Sequence, residues 1–204
     1  MSTPAPPSTP PRRPAWRVIV AAAALAAIGM GLRQALGLYL KPMTEALGVG
    51  REAFALSIAV ANIVWGVMAP INGAISDGFG AGRVAASGAI AMSLGFLLMY
   101  GAKSELDLLL AGVLLGIGIA GCGVNAMVGA VARAVAPENR TAAIASIGMG
   151  SGGGGLIALP YTHLAMGLLG WQSSLLLLAA TSGLLLLLAI PVIGKPQTTS
   201  ADAP

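Results

Sequence analysis

Arg33 is the one charged residue placed well inside an apolar run of this 204-residue chain. The acidic residues (Glu45, Glu52, Asp77, Glu105, Asp107, Glu138 and Asp202) all fall in loops, tails or helix ends. A guanidinium at the centre of a membrane helix costs about 2.5–3.5 kcal/mol on insertion scales, so it must face a cavity or a partner. The chemistry it offers there is bidentate recognition of a planar anion, a carboxylate above all. Gly29 and Gly37 stand one helical turn to either side and leave room beside it. Gln34 and Tyr39 follow on the same run. Gln34 lies about 100° around a helix from Arg33, so the two should not both point straight into one cavity. Asn62 and Asn125 sit inside two further apolar runs, where an amide serves either a bound solute or a bond between helices. The bland readings of Arg33 are a carboxylate from another segment and snorkelling to the interface. A second polar constellation is Gly73-Ala-Ile-Ser-Asp77-Gly-Phe-Gly80-Ala-Gly-Arg83, a short turn between two long apolar runs.

Other chemistries find little to work with. Cys122 is the only cysteine and His163 the only histidine, so neither an intrachain disulfide nor a cysteine-rich metal site is expected. A helix-end hydrogen bond is the default role for His163. Gly116-Ile-Gly118-Ile-Ala-Gly121 fits the dinucleotide pattern literally, but it lies inside an apolar run with no preceding strand. Ser151 and His163 suit an intramembrane serine protease only on paper, because Met149 occupies the position where Gly-x-Ser-Gly needs its first glycine. Twelve residues of straight helix also separate the pair by about 18 Å. The chain is therefore read as no enzyme, with no cofactor and no metal.

The elements that must position these residues follow from composition. Hydrophobic residues make up 56% of the chain and charged ones only 9%, against roughly 25% charged in soluble domains. Apolar runs cover about 18–40, 53–75, 84–101, 108–132, 142–165 and 173–193. Each approaches the ~20 residues that span ~30 Å of hydrocarbon as helix, and none alternates with period two as a β-barrel requires. The expected fold is an all-α membrane protein of six transmembrane helices over residues 17–194. It is preceded by a disordered Pro-rich tail, 1–16, and followed by a short polar tail, 195–204. The net charge of +4 reflects topology rather than nucleic acid. With the N-terminus inside, Arg12, Arg13, Arg17, Arg83, Arg133, Arg140 and Lys195 are cytoplasmic, and only Lys41, Arg51 and Lys103 lie outside. The chain is thereby expected to be an integral, multi-pass protein of the cell (inner) membrane with both termini in the cytoplasm.

Pro70 and Pro160 recur at an interval of 160 − 70 = 90 residues, as do Gly80 and Gly170, which hints at two inverted three-helix repeats. Gly112 with Gly116 and Gly148 with Gly152 have the spacing of close helix contacts. The Gly148–Gly155 stretch with Pro160 predicts a flexible fifth helix.

The Gly73–Arg83 segment resembles the cytoplasmic loop between the second and third helices of the major facilitator superfamily, Gly-x-x-x-Asp…Gly…Arg. Gly78 follows the Asp where the family usually has a basic residue, and only Arg83 represents its basic cluster. The segment from Gly31 through Arg33, Gln34, Gly37, Tyr39, Pro42, Leu47, Arg51 and Phe54 is similar to bacterial members related to monocarboxylate transporters and oxalate:formate antiporters. The resemblance implies one six-helix half-bundle of the major facilitator fold. It also implies transport of a small organic anion by alternating access. Under it Arg33 is the carboxylate binder, Gln34, Tyr39, Asn62 and Asn125 are substrate-side residues, and Gly73, Asp77, Gly80 and Arg83 form a conformational latch. The partners it implies are the lipid bilayer, the anion, and a second six-helix half, either a missing C-terminal half or a homodimer partner. The competing readings are a non-transporting membrane scaffold and an inactive truncated fragment.

Overall fold

The computed structural model describes residues 15–192, and the expected tails lie largely or wholly outside the described residues. All described secondary structure is helical. Five stretches are long and apolar enough to cross a membrane. In such a solvent every backbone amide must be satisfied within its own segment, which is why runs of Ala, Leu, Val and Gly resolve into helices here.

The first stretch is α1 (Ala15–Ala35), a 3₁₀ segment (Leu36–Tyr39) and α2 (Leu40–Leu47). The winding therefore tightens three residues after Arg33, which the sequence reading did not foresee. Next come α3 (Arg51–Phe79) and α4 (Ala81–Gly101), separated by Gly80 alone. The polar turn expected at 73–83 is thus largely helix. Asp77 stands in the last turn of α3, and the reversal is compressed into Gly80, whose φ of 95° a side chain would resist. The fourth stretch is α5 (Glu105–Cys122) and α6 (Val124–Ala134), interrupted at Gly123, where ψ swings to 171°. Ser104 and Asp107 form a capping box that starts α5.

The fifth stretch, α7 (Arg140–Ala189), runs 50 residues but is non-helical at Gly170, with φ 79° and ψ 162°. The Tyr161 and Thr181 hydroxyls lie 2.7 Å apart. On a straight helix twenty residues span about 30 Å, so the chain doubles back at Gly170 into halves 140–169 and 171–189. Gly80 and Gly170, paired by their interval in the sequence, share a positive φ and an extended ψ.

Small residues set the packing. Gly112 and Gly116 of α5 lie against Ser57 and Ala61 of α3, one turn matching one turn, and the Ser57 hydroxyl donates to the Leu108 carbonyl at 2.5 Å. Gly118 and Gly121 meet Met92 and Gly88 of α4. The expected Gly148/Gly152 pair does not pack, since both face open space. Gly150 and Gly154 contact Ala23 and Ala27 of α1 instead. Every fourth residue of the stretch 148–155 is a glycine on more than one face, so spacing alone did not identify the packed one. Buried Leu25, Phe96, Met92, Leu108, Ile147 and Leu175 fill the centre.

Candidate functional site

Arg33 ends α1 facing α3, where Asn62 and Trp65 stand one turn apart. The guanidinium donates twice to Asn62 Oδ1, from Nη2 at 2.6 Å and from Nε at 3.2 Å. It lies 4.9 Å from the centroid of the Trp65 ring, within cation–π range. Nη1 is turned to the Met30 sulfur at 3.8 Å, a weak acceptor that leaves its donors underused. These recorded partners are all uncharged, so the cation is held but not neutralised.

Arg33, Gln34, Gly37, Ile58 and Asn62 line a cavity of about 240 Å³. Gln34 borders it together with Arg33 despite the 100° between them on α1. Gly37 leaves open space there, as expected; Gly29 instead passes against Cys122 of α5. A neighbouring cavity of about 110 Å³ is lined by Met30, Trp65, Ala69, Asn125 and Ser151 among others. Met30 and Trp65, which line the second cavity, both touch the guanidinium that lines the first. Arg33 thus stands at the partition between the two.

Tyr39 lies away from both cavities. It is fully buried, and its hydroxyl sits 2.7 Å from Ser174 Oγ, which in turn donates to the Trp171 carbonyl. Its evident work is to fasten the 3₁₀ segment to the returning half of α7. Trp65 was missed by sequence reasoning, although its position three residues after Asn62 placed it on the same helix face.

At the other end of α3, Gly73 approaches the Asn125 backbone, and the Ser76 hydroxyl donates to the Ala126 carbonyl at 2.6 Å. The Gly80 N–H donates to the Ser76 carbonyl, and the Gly80 carbonyl accepts from Arg83 N–H. Asp77 and Arg83 expose their side chains on either side of this turn. Ser151 and His163 lie on the same half of α7, twelve residues apart, as no protease dyad could.

A family model described as Major Facilitator Superfamily matches residues 18–204. The chain is 31% identical over 179 residues to human monocarboxylate transporter 11, covering 87% of this chain and 38% of that protein. It is 32% identical over 170 residues to mouse monocarboxylate transporter 11, covering 82% and 38% respectively. The chain therefore spans about two fifths of the length of the curated relatives it matches. The match is to transporters rather than to enzymes, and with five apolar helical stretches it makes this an integral, multi-pass membrane protein. By family match and by helical architecture together, the chain belongs to the major facilitator superfamily and is monocarboxylate transporter-like.

Proposed function

We propose that the chain is one half of a secondary transporter that moves a small organic anion, a monocarboxylate foremost, by alternating access. The observation that carries the reading is Arg33, an intramembrane cation bordering a cavity and balanced only by neutral partners. A substrate carboxylate supplies the missing charge, with Asn62 and Trp65 fixing the guanidinium plane and Gln34 beside it. Asn125 faces the adjoining cavity. Tyr39 contributes indirectly, by anchoring the segment that follows Arg33. The names of both relatives support the same substrate class.

In this reading α7 crosses twice, which makes six crossings in two inverted three-helix repeats, the reversals at Gly80 and Gly170 being equivalent. Both termini are cytoplasmic in an inner membrane, as the basic residues favour. Gly73, Asp77, Gly80 and Arg83 act as the latch whose charge contacts hold one conformer and release in the other. A second six-helix half, covalent or from another copy, completes the pathway. The test is counterflow of labelled butyrate in proteoliposomes holding the chain, alone and together with a C-terminal half from the same family. Exchange that Arg33→Gln abolishes is the expected result. Exchange indifferent to Arg33 refutes the assignment.

A further inference from the structure

The glycine stretch in the first half of α7 divides by what each residue meets. Gly150 lies against Ala23, Gly154 against Ala27, and Ala158 against Gly31. The numbers rise together, so α1 and the first half of α7 run parallel in one register. Gly148, Gly152 and Gly153 have open space above them. Gly155 belongs to neither group. It is buried, and a Cβ placed there would overlap the side-chain amide of Gln34, its oxygen first.

Nothing in the backbone calls for glycine at this position. Among the described residues positive φ occurs only at Gly48, Gly80 and Gly170, and alanine is the better helix former. What the missing Cβ provides is room. Gln34 is a long, exposed side chain, and an unsupported amide would sample several rotamers. Side chains on α1 lean toward its N-terminus, which carries the amide from Gln34 back over α7. The space at Gly155 holds the amide there, while Gln34 borders the cavity of about 240 Å³ with Arg33 and Asn62.

We infer that Gly155 is a positioning residue: its missing side chain seats the Gln34 amide at the wall of the cavity in which Arg33 receives the carboxylate. The inference rests on the proposed function. It brings the first half of α7 into the site, although no α7 residue lines that cavity. A methyl group at Gly154 would be driven into the Ala27 carbonyl, a backbone atom that cannot yield. At Gly155 only the free end of a glutamine must move. Gly155→Ala therefore disturbs Gln34 and spares the fold.

Labelled butyrate is the probe, its affinity measured by equilibrium dialysis on the purified chain in micelles. The ¹⁵N resonance of the Gln34 side-chain amide, identified by its disappearance in Gln34→Ala, is followed in the same micelles. Gly155→Ala should shift that resonance and weaken butyrate binding about tenfold, as loss of a hydrogen bond to a charged group implies, with the unfolding temperature unchanged or raised. Gln34→Ala should weaken binding to the same extent, and adding Gly155→Ala to it should cost less than about twofold more. Gln34→Asn keeps the amide but falls a methylene short of the seat; it tests the same contact with Gly155 intact and should lose as much affinity. Gly153→Ala, with open space above it, should change neither resonance nor affinity. An unmoved resonance or unchanged affinity in Gly155→Ala, a loss that persists in full in the Gln34→Ala background, or full affinity in Gln34→Asn overturns the positioning role. If Arg33→Gln still weakens butyrate in that series, the Arg33 site stands without it. Absence of butyrate binding by wild type overturns both.

Discussion

Replacing Asn62 by leucine removes the oxygen that receives both of the Arg33 bonds. The 2.6 Å contact from Nη2 is short and charge-assisted, whereas that from Nε, at 3.2 Å, lies at the outer limit for a good bond. Because both converge on one oxygen, they are counted as little more than one strong bond, worth about 1.5–3 kcal/mol for a charged donor. Uncharged pairs inside membranes average only about 0.6 kcal/mol, so the charge should place this pair above that mean. Arg33 is half-buried and keeps its stack on Trp65, worth about 0.5–2 kcal/mol, which holds the net cost of Asn62→Leu to ~2 kcal/mol. The assay is reversible unfolding in mixed micelles for Asn62→Leu, Arg33→Met and the double variant. Removing both partners should cost less than the sum of the single losses, because no charge is left stranded. A short carboxylate should also stabilise Asn62→Leu more than it stabilises wild type, since the resident acceptor no longer competes for the guanidinium. If the two single losses add within about 0.5 kcal/mol and the carboxylate treats both proteins alike, Arg33 is not held by Asn62 and the site is misdrawn.

Gly80→Ala and Gly170→Ala should each destabilise by at least ~1 kcal/mol, because both glycines have positive φ; the control, Gly148→Ala, has open space above it and should be neutral or slightly stabilising in the same unfolding assay. Tyr39→Phe should cost about 1 kcal/mol of stability through loss of the Ser174 contact, with carboxylate affinity unchanged. Asp77→Asn should leave binding intact but shift the accessibility of cysteines introduced on the cytoplasmic side; unchanged accessibility and unchanged transport rates refute the latch.

Much of the architecture was legible because a bilayer leaves the backbone little choice. Long apolar runs must be helices, and one Arg without a neighbouring acid must border something polar. Gly80 and Gly170, which stand 90 residues apart in the sequence (170 − 80), both carry a positive φ that glycine tolerates best. What could not be read was how helices rotate against each other. Gly150 and Gly154 rather than Gly148 and Gly152 touch α1, and no local rule distinguishes those faces when all four are glycine. The same rotation hid the partnership of Arg33 with Asn62 and Trp65, 29 and 32 positions away (62 − 33 and 65 − 33). It also sent Tyr39, a sequence neighbour of Arg33, into the bundle to meet Ser174. Breaks were equally opaque. Gly123 interrupts a helix while Gly118 and Gly121, packed against α4, do not.

The central claim is that Arg33 is the carboxylate-binding cation of this half-bundle. The most direct measurement is the equilibrium affinity of labelled butyrate for wild type and Arg33→Gln, both confirmed as folded by their thermal unfolding in the same micelles. Saturable binding by wild type that weakens at least tenfold in Arg33→Gln, as the loss of a charge-assisted contact implies, is the predicted result. Equal affinity in the two folded proteins would contradict the account.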